Sequence, residues 1–193
     1  ALDLIEERIG GGFPFAVKPA CGGAAMGVHK VSQHEGLGEA ILDALSYDAE
    51  VIIEQWIDGT EIAVSVLGEG KDAQVLPPVE IVPAQGLYTT EARMSVNAVE
   101  LFCPVRAASL SADEAAAQAA RDAVESAALE VYRAYGVHGL GRVDLIWDGT
   151  QARVLEVDVS PGMTELSLFP AACTASGLTL SAVLDRLVGA YAS

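Results

Sequence analysis

Basic residues are scarce in this chain of 193 residues: Lys and Arg total 11 against 27 Asp and Glu, a formal charge of −16. An acidic surplus of that size repels a phosphodiester backbone and an anionic bilayer, which argues against nucleic-acid or membrane-surface partners. No apolar run approaches the roughly 20 residues of a spanning helix, and no basic segment precedes an apolar one as in a secretory signal. Cysteine is sparse too. Cys21, Cys103 and Cys173 stand far apart with no CxxC or Cys/His spacing, so neither a disulfide framework nor a zinc site is expected. They read as three reduced thiols in a cytoplasmic protein. His29, His34 and His138 have no metal spacing or nucleophile partner, and Ser65 and Ser109 lack a nucleophile-elbow context. What is plentiful is apolar side chain, 51 % by a broad count, which excludes a disordered acidic tail.

The pattern along the chain reads as α+β in two lobes meeting near residue 80. Residues 1–9 have helical spacing and stop at Gly10-Gly11-Gly12. Phe13 to Val17 reads as a buried strand closed by Lys18-Pro19, Cys21 to Gly27 as a glycine-rich loop, and Val28 to Val31 as the returning strand. Glu35 to Ser46 is helical by period. Val51 to Gln55 and Glu61 to Leu67 are β-branched strands separated by Asp58-Gly59. Residues 75–82 carry two short strands broken by Pro77-Pro78, and residues 85–97 read as a long loop of the kind that serves as a lid. Ser111 to Tyr135 is the long helix, with Ser111 as its N-cap. Residues 143–147 and 153–157 form a hairpin around Asp148-Gly149-Thr150. Two helices, 164–176 and 180–191, close the chain.

Three places could carry chemistry. Lys18 ends a strand beside the glycine-rich loop, where backbone N–H groups can approach a phosphate without Cβ obstruction. The spacing is neither a Walker A nor a Rossmann fingerprint, and a surface lysine beside an ordinary turn is the plain alternative. On the last hairpin, alternation puts Arg142 with Asp144, and Glu156 with Asp158, on shared faces, with Leu155 and Val157 turned the other way. Three carboxylates on one face suit Mg²⁺ together with nucleotide phosphates; a solvated edge would show the same alternation. Lastly, Glu54-Gln55-Trp56-Ile57 ends a strand beside a turn. It could read an adenine edge, with Glu61 accepting from ribose hydroxyls, or simply bury a tryptophan at a hinge.

Taken in order, these pieces resemble the D-alanine–D-alanine ligases of the ATP-grasp superfamily from about Phe13 to the C-terminus. The motifs are Val17-Lys18-Pro19 with the glycine-rich loop, Ile53-Glu54-Gln55-Trp56-Ile57 with Glu61, Phe102-Cys103-Pro104, Gly141-Arg142-Val143-Asp144-Leu145, and residues 155–164 followed by Ser167-Leu168. The resemblance implies an ATP-grasp fold, a smaller lobe of residues 1–80 and a C-terminal lobe of 81–193, clamping a nucleotide. It implies ATP bound through Lys18, Gly23, Ala25, Glu54, Gln55, Ile57, Glu61, Arg93 and Leu155. Asp144, Glu156 and Asp158 would bind two Mg²⁺ ions, with Mn²⁺ an alternative. Arg142, Gly162 and Arg93 would be catalytic, and Ser167 would contact the second substrate. The implied partners are ATP and D-amino acids, and the full-length enzyme would be a homodimer making peptidoglycan precursors in the cytoplasm.

The sequence departs from the family's usual pattern at several of these places. Ala24 and Ala25 replace two loop serines, Arg93 a lysine, Met94 a lid tyrosine, and Asp158 an asparagine. ATP and Mg²⁺ are therefore better grounded than the D-alanine pair, and two alternatives stand. One is an ATP-grasp ligase for another D-amino acid or peptide pair; the other is a non-catalytic nucleotide-binding module. The family's N-terminal substrate lobe has no counterpart in the chain, which begins without Met. On this reading the chain is part of a larger enzyme and does not ligate alone.

Overall fold

The structure, a computed structural model, describes residues 2–84 and 98–191. The expectations for Arg93, Met94 and the rest of 85–97 lie outside the described residues. The chain forms two compact units, Ala1–Ile57 with Pro83–Val99 and Asp58–Val82 with Glu100–Ser193. The chain passes between them at Ile57/Asp58, again at Val82/Pro83, near the expected residue 80, and back at Val99/Glu100. The strands on either side of Asp58-Gly59 do not pair as a hairpin; they join different sheets.

The first unit is built on a three-stranded antiparallel sheet ordered β2-β1-β3: β1 (Phe15–Pro19), β2 (His29–Val31) and β3 (Val51–Gln55). Helices α1 (Leu2–Ile9) and α2 (Leu37–Ala44) accompany it. Period-2 alternation sends Val17, Val31 and Ile53 to one face, where they pack with Leu37, Ala40 and Ala44 of α2 and with Ile5 of α1. Residues of the opposite parity, Ala16, Lys18, Lys30 and Glu54, are left to the other face.

The second unit holds a six-stranded sheet. Its main path runs β7 (Val99–Phe102), β6 (Val79–Pro83), β4 (Thr60–Leu67), β8 (Leu140–Trp147), β9 (Ala152–Asp158), with β5 (Gln74–Val75) paired to β4. Two helices follow β7, the short α3 (Ala107–Leu110) and the long α4 (Glu114–Ala134). The latter buries Ala117, Ala120, Val124, Ala128 and Tyr132 against Ile62, Val64, Val66, Val143 and Leu145 of the sheet. Small residues at the helical spacing let α4 lie close, and its polar side stays in water. The N-cap is Asp113, not Ser111. The Asp113 carboxylate accepts the Ala116 N–H at 2.8 Å, while Ser111 closes α3 and accepts the Asp113 N–H. Helices α5 (Leu168–Ala175) and α6 (Leu180–Tyr191) end the chain, α5 starting four residues later than its sequence pattern indicates. Among the described residues no single helix is long and apolar enough to cross a membrane, and none of the three cysteines is disulfide-bonded.

Candidate active site

In the first unit the expected phosphate ligand sits in a defined setting. Lys18 is next to last on β1, and its Nζ donates to Glu54 Oε1 on neighbouring β3 at 2.6 Å; both side chains keep access to water. The loop after it is held at its base by the Cys21 N–H donating to Asp48 Oδ2 at 2.6 Å, a bond that keeps the Asp48 carboxyl below its ordinary range. At its tip the Met26 N–H donates to the Gly23 carbonyl, with Ala24 and Ala25 both left-handed at φ +56° and +55°. That is the geometry of a type I′ turn, which favours Asn-Gly over two alanines. Gly27 is needed where it stands: its φ is +68°, and a Cβ there would lie 2.7 Å from the Tyr47 ring. At the far end of β3, the Trp56 N–H donates to the Pro14 carbonyl at 3.0 Å, which fixes the path of Gln55-Trp56-Ile57.

In the second unit the acids converge on one face, though alternation alone does not bring them there. Ala63 of β4 lies opposite Asp144, Ser65 opposite Arg142, and Glu61 opposite Ile146, so Glu61 shares their face. On the other side Asp144 faces Glu156 and Arg142 faces Asp158. That second match depends on a β-bulge. Trp147 pairs with Ala152 and Leu145 with Val154, but Asp144 then pairs with Glu156, leaving Leu155 as the extra residue. In a regular ladder Glu156 would face Val143 in the core; the bulge turns both acids to the Arg142 face. Leu155 is thus not a simple alternating partner of Val157. The adjacent apolar pair Val154-Leu155, which breaks the alternation, is the sequence signal for it.

Arg142 organises this group. It is 4 % exposed, and its Nε and Nη2 bond Asp144 at 2.6 and 2.8 Å. Nη1 lies 3.2 Å from Asp158, and Nη2 3.9 Å from Glu156. Burial pulls the guanidinium toward neutrality, but the three carboxylates outweigh it and hold it firmly charged. One cation does not balance three acids. Burial first, and then the Asp144 carboxylate, push the Glu156 carboxyl above its ordinary value. Among the described residues no three acidic, histidine or cysteine side chains are already gathered to hold a metal, because the guanidinium stands among them. The donor set nonetheless fits a hard divalent cation: all-oxygen ligands with surplus negative charge.

Beyond β9, Ser160 donates its N–H to Asp158 Oδ1 and the chain turns sharply into residues 161–164. A Cβ on Gly162 would lie 2.8 Å from Ser167 Oγ, so a larger residue there would force the Ser167 hydroxyl to move. Ser167 precedes α5 and turns its hydroxyl back onto Thr164, meeting the Thr164 Oγ1 at 2.9 Å and accepting its N–H at 3.1 Å.

A fourth group was not legible in the sequence. Glu80 of β6, 2 % exposed, accepts from Arg106 Nε and Nη2 at 3.0 and 2.6 Å and from Ser109 Oγ at 2.6 Å. Burial pushes its carboxyl up, yet the bonds from Arg106 and Ser109 prevail and bring it below its ordinary value. The Arg106 guanidinium also stacks 3.7 Å from the Phe102 ring centre. The partners are 26 and 29 residues from Glu80 in sequence, and only the β6 and α3 placements join them.

Residues 3–189 match the family described as D-ala D-ala ligase C-terminus. The chain belongs to the D-alanine–D-alanine ligase family. It is 35 % identical over 178 residues to the D-alanine–D-alanine ligase of Desulforudis audaxviator, covering 92 % of this chain and 55 % of that one. It is 36 % identical over 179 residues to that of Bordetella avium, with 92 % and 53 % covered. The chain thus spans about half the length of these ligases. Among solved structures, the VanG D-Ala:D-Ser ligase of Enterococcus faecalis superposes with a TM-score of 0.80 at 29 % identity, over 98 % of this chain and 52 % of that one. The Bacillus anthracis D-alanine–D-alanine ligase complexed with ATP gives 0.75 at 27 %, over 98 % and 55 %. The mixed helices and antiparallel sheets are therefore the ATP-grasp fold of this ligase family.

Proposed function

We propose that this chain is the ATP- and Mg²⁺-binding portion of a ligase that joins two D-amino acids through an acyl phosphate, D-alanine being the first choice for both. The observation that carries this reading is the surplus of carboxylate around Arg142, on strands that match the family's ligases. Lys18, in the first unit, binds the ATP phosphates by exchanging its Glu54 partner for them. The backbone of Gln55 to Ile57 and the Glu54 carboxylate hold the adenine, and Glu61 the ribose. Gly23 and Ala25 of the glycine-rich loop, and separately Leu155, are further nucleotide-binding residues, and Arg93 adds a further cation for the phosphates.

Asp144, Glu156 and Asp158 hold Mg²⁺, which supplies charge neutralisation at the phosphates when bound. Arg142 keeps those carboxylates facing one way and, with the Gly162 N–H, stabilises the developing oxyanion. Ser167 contacts the second substrate. In the first step a carboxylate oxygen of one D-amino acid attacks the γ-phosphorus of ATP. The bond to ADP breaks and an acyl phosphate forms. The amine of the second amino acid then attacks the acyl carbon; it loses a proton, and inorganic phosphate departs with the electrons of the broken C–O bond. The chemistry belongs to peptidoglycan-precursor synthesis in the cytoplasm, and the chain alone binds ATP without ligating.

The similarity to a D-Ala:D-Ser ligase, with Ala24 and Ala25 where the family has serines, favours a second reading of the substrate pair: D-alanine with another D-amino acid. The test is a thermal melt of the chain with ATP and Mg²⁺, alongside a phosphate-release assay with D-alanine. A raised melting temperature without D-alanine-dependent phosphate release is expected. No shift would return the chain to a non-nucleotide role, and phosphate release would overturn the claim that it is only part of the enzyme.

A further inference from the structure

The small sheet carries a second cation that the function proposed above does not use. Lys30, one of only three lysines in the chain, lies on β2 opposite Ala16, and Ala16 lies opposite Glu54 on β3. Residues paired across a sheet project to one face, so Lys30, Ala16 and Glu54 form a row. Lys18, two residues along β1 from Ala16, shares that face. The middle of the row is a single methyl group, so no bulky side chain stands between the outer strands. Trp56 follows Glu54 by two residues and is half-buried. The Lys30 Nζ lies 4.6 Å from the centre of its ring, inside the range at which an ammonium is attracted to the indole face. The backbone of Trp56 is tied separately, through its N–H to the Pro14 carbonyl. The contact with the lysine is thus made by the ring and is separate from that backbone tie.

We propose that Lys30 is a positioning residue for nucleotide binding: its ammonium holds the Trp56 ring, and through it sets how Gln55 to Ile57 receives the adenine. This rests on the ATP-binding reading above. A cation–aromatic contact at a half-exposed position is worth roughly a two- to five-fold change in an equilibrium constant, which bounds the effect. Lys30 is exposed, so replacing it leaves the fold intact. An arginine there would keep both the charge and the stacking.

The experiment is calorimetric titration of ATP, in magnesium buffer, into the 193-residue chain and its Lys30→Met, Lys30→Arg, Trp56→Leu and doubly substituted Lys30→Met/Trp56→Leu forms. Tryptophan emission is recorded for each form that keeps Trp56. Trp147, the other tryptophan, is buried with its Nε1–H on the Leu110 carbonyl, so a change in emission reports Trp56. The expected result is ATP binding weakened about five-fold or less by Lys30→Met, restored by Lys30→Arg, and weakened no further by Lys30→Met once Trp56 is gone. Emission of the nucleotide-free chain shifts in Lys30→Met and returns in Lys30→Arg. Equal ATP binding by wild type and Lys30→Met would overturn the assignment. So would losses that multiply in the double variant, or a loss that Lys30→Arg does not restore, since either would make the ammonium act on ATP directly. A wild-type chain that binds no ATP at all would instead overturn the function proposed above, and this inference with it. Should Trp56→Leu fail to fold, the Lys30→Met and Lys30→Arg pair with its emission readout still decides.

Discussion

The two units handle charge in opposite ways. On the small sheet Lys18 meets one acid, Glu54, and both remain in contact with water. On the large sheet Arg142 is buried and meets three acids, Asp144, Glu156 and Asp158. A half-exposed one-to-one pair adds little stability and exchanges its partner readily. A buried cation among surplus carboxylates cannot be released without leaving charge unpaired, and it leaves the acids short of positive charge. On the function proposed above, the first arrangement would suit a lysine that takes up a phosphate and the second acids that take up a metal ion.

Breaking the buried group gives the largest expected effect. Arg142→Met strands Asp144 without its partner and should cost about 3–5 kcal/mol in chemical denaturation at pH 7. The loss should shrink as acid protonates the carboxylates; a loss that ignores pH would show that Arg142 acts through packing alone. Glu80→Ala comes next, at about 2–3 kcal/mol, because it removes charge-assisted bonds from Arg106 and Ser109 in a buried setting. The Glu80 carboxyl lies below its ordinary 4.5 in the folded chain. Its contribution is thus complete above that value and lost as pH falls through the lowered one. The wild type should lose this increment in acid, and the Glu80→Ala variant should show no such loss.

Glu156→Gln has the opposite sign. Its carboxyl is raised above 4.5 in the folded chain, so the folded state binds the proton more tightly and wild-type stability falls as pH rises through the raised value. The variant should lack that fall and be no less stable than wild type at pH 7 by thermal melting. The smallest effect on stability is expected from Lys18→Met, within about 1 kcal/mol by denaturation. The same substitution should abolish measurable ATP binding, and that split between stability and binding is what separates a ligand-exchanging pair from a structural one.

Much of this contrast was legible in the sequence where function depends on local spacing. The Lys18-Pro19 strand end, the glycine-rich return to Val31 and the two-residue alternation of Arg142 with Asp144 need only neighbouring residues to be read. Contacts made at long range were not legible. Nothing near Glu80 announces Arg106 or Ser109, because their meeting depends on where β6 and α3 come to rest. The helix cap moved from Ser111 to Asp113 because a short helix ends at Leu110 and uses Ser111 for its own closure. The bulge at Leu155 lies between these cases. Its doubled apolar pair is visible, but its result, Glu156 turned to Asp144 instead of Val143, appears only once the ladder is drawn.

The most direct test of the account is titration of ATP into the chain with and without Mg²⁺, for wild type and Glu156→Gln. Wild type should bind ATP markedly more tightly with the metal present, and Glu156→Gln should lose that gain while keeping its metal-free affinity. Wild-type binding that is the same with and without Mg²⁺ would contradict the assignment of the Arg142 carboxylates to a metal.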